Sequence, residues 1–254
     1  MKGHVRASKP PCNNVIDMTE GNGSTMQDSR PAVIAVATPK GGAGKTMVVI
    51  LLACESARNA NRVLIVDADP QGSASKWFAK SKRDGAKLEG IACEIIVDRV
   101  DLVARLKTVL GFDLVLVDLQ GTAESAMSGA IALADLVVIP SRAHVADSRQ
   151  AVTMARYVAG VGVRGQTIPH CVLINAVDII EAKTEAAKAG LVLLAEAKLR
   201  VLKTALYNRP TFKNVATSGS LYEVEPATPA VKTAQQNVVD VMNELIELLE
   251  GEAG

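Results

Sequence analysis

A chain of 254 residues that is 48% hydrophobic but only 3% aromatic can bury a large core, and Ala, Val, Leu and Ile must fill it. Its four cysteines, at positions 12, 54, 93 and 171, lack zinc or redox-motif spacing, and no apolar run nears the roughly twenty residues that span a bilayer. A disulfide framework, a signal peptide and a membrane span are disfavoured, and a soluble cytoplasmic protein is expected. The net charge of +1 conceals an asymmetry: residues 1–30 carry four basic and three acidic side chains and residues 233–254 five acidic and no basic ones, leaving residues 31–232 at about +5.

Residues 1–30 are polar, rich in Gly, Ser, Asn and Pro, and predict a flexible N-terminal extension to a domain at 31–254. From Pro31 onward, apolar β-branched runs predict strands near 32–37, 62–67, 93–97, 113–118, 135–140 and 169–175. Helices fit between them near 44–60, 99–110, 123–134, 146–161 and 180–199. Such alternation implies an α/β fold with a doubly wound, mostly parallel sheet flanked by helices, and a ligand site at the carboxyl ends of the strands. Between Ala197 and Tyr222 stand Lys198, Arg200, Lys203, Arg209 and Lys213 with no acid, a candidate polyanion-binding face or a merely solvated surface.

Three motifs fall at predicted strand ends. Lys40-Gly41-Gly42-Ala43-Gly44-Lys45-Thr46 links the first strand to a helix beginning Thr46-Met47-Val48. A Gly-rich loop in that setting points backbone N–H groups inward at a helix N-terminus, where phosphates bind. Lys45 would reach the β and γ phosphates and the Thr46 hydroxyl would ligate Mg²⁺. The second strand ends in Asp67-Ala68-Asp69-Pro70-Gln71-Gly72. Two carboxylates beside a phosphate loop make sense only where cations or a reacting water balance their charge. A third strand ends at Asp118-Leu119-Gln120-Gly121, and Asp118 would hold the Mg²⁺ shell through water.

With these motifs, the chain over about residues 31–250 resembles the ParA/MinD family of deviant Walker-type P-loop ATPases, whose variant loop is K-G-G-x-G-K-T and whose second motif is D-x-D-P-Q-G. The resemblance implies that Lys40 crosses a dimer interface to the phosphates of the other subunit's nucleotide. It implies that Asp67 belongs to the Mg²⁺ and switch region and that Asp69 places the attacking water. Gly41 to Met47 would cradle ATP, and Asn175, at the end of Val172-Leu173-Ile174-Asn175, would contact the adenine. Asn175-Ala176-Val177-Asp178 half-resembles the guanine motif N-K-x-D but lacks its lysine, which favours ATP over GTP. Arg209 and Lys213 fall where ParA proteins carry non-specific DNA contacts.

The chain also departs from the family pattern. Met47 replaces a common second threonine, removing a hydrogen bond to the α phosphate worth roughly 1 kcal/mol. Proline is absent near Leu119 and Gln120, and the stretch is similar to that of ParA relatives acting in conjugal or T-DNA transfer. A C-terminal helix with an apolar stripe at Val238, Val241, Met242, Leu245, Ile246, Leu248 and Leu249 carries Asp240, Glu244, Glu247 and Glu250. Anionic lipids would repel it, so it is expected to pack on the domain and not to bind membrane.

The expectation is an ATP- and Mg²⁺-dependent homodimer that binds DNA non-specifically, associates with the nucleoid, and positions a plasmid, chromosome or transfer complex through slow hydrolysis. A ParB-like or relaxosome-type partner would stimulate it. The alternatives are a nucleotide switch on a protein scaffold without DNA, and a small-molecule P-loop ligase, against which the D-x-D-P-Q-G run argues. A nitrogenase iron-protein relative fits worse, since the cysteines are not at cluster-ligand positions.

Overall fold

The computed structural model describes residues 30–39, 41–121, 124–162, 167–178 and 184–251. Strands β1 (Ala32–Val36), β2 (Val63–Ala68), β3 (Ile91–Ile95), β4 (Leu114–Leu119), β5 (Leu136–Ser141) and β6 (His170–Ile174) form one sheet in the order β3-β2-β4-β1-β5-β6. Every pairing is parallel. Because side chains alternate along a strand, each strand feeds two cores. Ile34, Val36, Ile65, Leu116 and Val138 face one side, where α1 (Lys45–Arg58), α2 (Ser73–Arg83), α7 (Pro210–Thr217) and α8 (Pro229–Gly251) cover them. Val33, Ala35, Val66, Val117 and Ile139 face the other, under α3 (Arg99–Thr108), α4 (Glu124–Leu133), α5 (Val145–Val161) and α6 (Glu185–Glu196).

From β1 the chain steps outward to β2 and β3 over one face, then returns through β4 and continues to β5 and β6 over the other. The helices after the adjacent strands β1 and β4 therefore leave on opposite faces. That is the topological switch point, where a doubly wound sheet opens a ligand crevice.

Most expected elements are present within two or three residues of their predicted bounds. β3 begins two residues earlier than predicted, at Ile91. The helix predicted over 180–199 is described over Glu185–Glu196, where the Thr184 side chain caps it by accepting from the Ala187 N–H. Beyond it Lys198 adopts φ +54°, and the chain doubles back along the outer edge of β6. Bridges from Val201 to Val172 and from Tyr207 to Val177 show that this run is parallel to β6. The helices α2 and α7 are additions to the predicted set. α2 turns inward only Ala74, Trp77 and Ser81, and the Trp77 indole N–H donates to the Val215 carbonyl of α7 at 2.9 Å.

The C-terminal helix packs on the domain as expected. Val231, Ala234, Val238, Val241, Met242, Leu245 and Leu248 are buried, each large aliphatic stabilising by about 1.5–3 kcal/mol. Asp240, Glu247 and Glu250 point to solvent, and Glu244 accepts from the Lys203 and Thr204 amides, both at 2.7 Å. Among the described residues no helix is long and apolar enough to cross a membrane. Of the predicted extension, residues 1–29 lie outside the described residues; Arg30 is tied to the domain through Asp135 at 3.1 Å and the Leu133 carbonyl at 2.6 Å.

Candidate nucleotide-binding site

The loop between β1 and α1 depends on backbone conformations that favour glycine. Gly42 and Gly44 have φ of +86° and +83°, and a Cβ on Gly44 would stand 2.4 Å from Asn175 Nδ2. Asn175 Nδ2 donates to the Ala43 carbonyl at 2.8 Å, and an Arg142 guanidinium nitrogen donates to the Gly42 carbonyl at 3.2 Å. In a trans peptide the N–H opposes the C=O. Holding these two carbonyls outward therefore turns the Ala43 and Gly44 amides the other way, as an anion-binding loop requires.

Lys45 and Thr46 open α1 beside the carboxylates. Asp67 on β2 and Asp118 on β4 are register partners at neighbouring strand ends, and both continue the face that packs under α1. Thr46 Oγ1 donates to Asp118 Oδ2 at 2.6 Å. Asp118 is 1% exposed, and its Oδ1 is buried without a hydrogen-bond partner. Burial, reinforced by the nearby Asp67 and Asp69, pushes its carboxyl up to about 6 against the pull of the Thr46 hydrogen bond and Lys45. Burial holds the Lys45 ammonium below its ordinary range, partly offset by Asp118 and Asp69. Asp67 is fully buried and accepts from the Ser75 amide at 2.8 Å and the Asp69 amide at 3.2 Å. Asp69 is half-buried and accepts from the Gln71 amide at 2.8 Å, closing the turn that follows β2.

This donor set fits a hard divalent cation. The Thr46 hydroxyl gives its proton to Asp118 and keeps its lone pairs, while Asp118 Oδ1 has acceptor capacity with no protein partner. Among the described residues no three His, Cys, Asp or Glu gather closely enough to hold a metal by themselves. Mg²⁺ characteristically takes one or two carboxylates and completes its shell with water and phosphate oxygens.

The loop opens into a cavity of about 390 Å³, within the usual range for small-molecule sites. Gly42, Ala43, Gly44, Met47 and Asn175 line its near end, and Asp178, Asn208, Arg209 and Lys213 its far end. The structure thus brings together Gly41 to Met47, Asp67, Asp69, Asp118 and Asn175. Lys40 lies outside the described residues.

The five cations proposed as a polyanion face are spread out, because the chain bearing them runs the length of β6. Lys198 and Arg200 border a separate cavity of about 210 Å³ at the amino ends of the strands, with Ile168, His170 and Leu248. Lys203 lies between, and Arg209 and Lys213 reach the cavity beside the Gly-rich loop. Sequence reasoning missed Arg142 in the cavity wall. Its signal was available: it follows Ser141 at the carboxyl end of β5, beside β1.

The sequence model of the family described as VirC1 protein matches residues 32–250. The chain belongs to the VirC1 family. It falls within the ParA/MinD group of P-loop ATPases, as its motifs implied. Protein virC1 of Rhizobium rhizogenes is 25% identical over 224 residues, covering 84% of this chain and 95% of that protein. Protein ParA of Rhizobium radiobacter is 36% identical over 120 residues, covering 46% of this chain and 51% of ParA. The chain thus spans about half the length of its ParA-type relatives. Among solved structures, an ATP complex of a Cyanothece McdA variant superposes with a TM-score of 0.68 at 16% identity, covering 85% of this VirC1-family chain and 97% of McdA. At that identity the likeness establishes the six-stranded parallel α/β fold.

Proposed function

We propose that this VirC1-family chain is an ATPase that dimerises around ATP and Mg²⁺, binds DNA non-specifically as the dimer, and releases it after slow, partner-stimulated hydrolysis. Its role is to position a plasmid, chromosome or DNA-transfer complex in the cytoplasm. The observation that carries this reading is the phosphate loop set against Thr46–Asp118, with an acceptor atom of Asp118 left over for a cation shell.

Lys45 and the loop amides hold the phosphates, and their fixed orientation lets them stabilise charge as it develops. Asp69, at the turn beside Asp67, orients the attacking water. Lys40 contributes its charge across the dimer interface. Thr46, Asp118 and Asp67 are the residues that would hold Mg²⁺, directly or through water, and the chemistry it supplies when bound is neutralisation of charge on the transferred phosphoryl group. The exposed Lys203 and Lys213, with Lys198 and Arg200, supply sequence-independent attraction to DNA phosphates.

Gel filtration with ATP and Mg²⁺ tests the core of the proposal. Asp69→Ala, still able to bind but slow to hydrolyse, should accumulate an ATP-dependent dimer, and Lys40→Ala should not. Failure of Asp69→Ala to dimerise overturns the sandwich mechanism. DNA retention should require ATP, fall with salt and disappear in the Lys203→Glu/Lys213→Glu double variant. Dimerisation without any DNA retention would instead favour a switch acting on a protein scaffold.

A further inference from the structure

At the amino edge of the sheet, opposite the Gly-rich loop, the second cavity of about 210 Å³ opens where the two cores meet. Leu136 and Leu248 from one core and Ile168 from the other give it apolar walls. His170, Lys198 and Arg200 also line it, and none of its lining residues is acidic. The frame is fixed by backbone hydrogen bonds, from the Val137 N–H to the Pro169 carbonyl at 2.9 Å and from the Val172 N–H to the Arg200 carbonyl at 2.8 Å. His170 Nδ1 lies 2.9 Å from the Ile168 carbonyl, which can only accept, so Nδ1 carries a proton and Nε2 is the ring nitrogen left for a ligand.

Lys198 adds an observation of a different kind. It follows α6 at φ +54°, the left-handed conformation that closes many helices and that glycine fills without strain. Its amide donates to the Ala195 carbonyl at 2.9 Å and that of Leu199 to the Leu194 carbonyl at 3.1 Å, bonds that a glycine would make equally well. A lysine here strains the backbone and puts a second cation on the wall that Arg200 lines. We propose that this cavity binds a small phosphomonoester, its phosphate held by Lys198 and Arg200 with His170 Nε2 as a third polar contact, and its ester group against Leu136, Ile168 and Leu248. Two permanent cations match the charge of about −1.5 to −2 that such a phosphate carries near pH 7, whereas a carboxylate or a diester carries a single charge. The guanidinium fork meets two phosphate oxygens side by side, and the ammonium acts as a point charge. A volume below the usual pocket range of about 300–1,000 Å³ restricts the ester group to one ring or a short chain. The site lies at the opposite edge of the sheet from Lys45 and does not depend on the reading of that loop.

Titration of the full chain with phenyl phosphate, inorganic phosphate and benzyl alcohol, followed by heteronuclear NMR and calorimetry with ADP and Mg²⁺ present to occupy the Gly-rich loop, tests the assignment. Phenyl phosphate should bind saturably with a submillimolar Kd and shift the amides of Val137, His170 and Leu199. Inorganic phosphate, lacking the ring, should bind at least about fivefold more weakly, and benzyl alcohol, lacking the charge, should not saturate. Arg200→Gln should weaken phenyl phosphate about tenfold, while Lys203→Gln, which removes an exposed cation of the same strip that does not line the cavity, should leave it unchanged. Lys198→Gly relieves the left-handed backbone, so it should melt no lower than wild type and still bind about tenfold more weakly, which separates lost binding from lost folding. The proposal is overturned if the three amides do not move, if Lys198→Gly keeps wild-type affinity, if Lys203→Gln weakens binding as much as Arg200→Gln, or if inorganic phosphate binds as tightly as phenyl phosphate.

Discussion

Replacing Asp118 by Asn should stabilise the nucleotide-free protein at neutral pH while abolishing Mg²⁺-dependent nucleotide binding. The carboxyl is raised from 3.8 to about 6, mainly by burial, so at neutral pH its ionised form costs about 3 kcal/mol relative to the unfolded chain. The sign follows from linkage: the folded state holds this proton more tightly than the unfolded state. The stability it contributes is complete below about pH 4 and is lost as pH rises through about 6. Asn removes the ionisation and keeps an acceptor for the Thr46 hydroxyl. Two effects oppose it: the buried Lys45 ammonium loses the attraction of Asp118 and retains that of Asp69, and the Asn amide N–H stands where Asp118 Oδ1 has no partner. The net gain should be about 1–2 kcal/mol, or roughly 2–8 °C in Tm for a chain of this size. Thermal and urea unfolding of both proteins between pH 4 and pH 8 reads it directly. The difference should be near zero at the acid end, grow through about pH 6 and then level off. A variant less stable than wild type at pH 7.5, or a difference independent of pH, would refute the electrostatic account.

Gly44→Ala should fold but bind ATP at least tenfold more weakly, because its Cβ meets Asn175 Nδ2 at 2.4 Å in a backbone of φ +83° that costs an alanine about 1–2 kcal/mol. Calorimetry checks this, and wild-type affinity would show that the brace from Asn175 to the loop does not set the site. Glu244→Ala should lose about 2–3 kcal/mol of stability, since its carboxylate accepts from two backbone amides at 2.7 Å. Hydrogen exchange at Lys203 and Thr204 should accelerate; unchanged protection there would mean that the bonds do not hold the strip to α8.

The chemistry was more legible in the sequence than the placement of charge. Asp67 and Asp118 could both be placed at the strands' carboxyl edge because each ends an apolar β-branched run, but their register pairing shows only in the fold. α2 was hidden for the converse reason: its inward stripe includes Ser81, whose hydroxyl accepts from the Gly219 amide at 2.8 Å, so a polar residue fills a core position that periodicity expects to be apolar. The run from Lys198 to Lys213 looked like one face because the sequence lists its charges consecutively. Folding lays that run along β6, with Lys198 at the amino end and Arg209 at the cavity beside the Gly-rich loop.

Asn175 marks the boundary between these cases. Its position at a strand end was readable, yet its partner is the Ala43 carbonyl, 132 residues away in sequence. A side-chain amide is both donor and acceptor, so residue type alone leaves its role open, and only the approach of the loop decides it. The same holds for Arg209: its charge suggested an exposed phosphate contact, while the fold half-buries it over the Tyr207 ring in the wall of the cavity beside the Gly-rich loop. Where a residue's chemistry admits several partners, its surroundings carry the function.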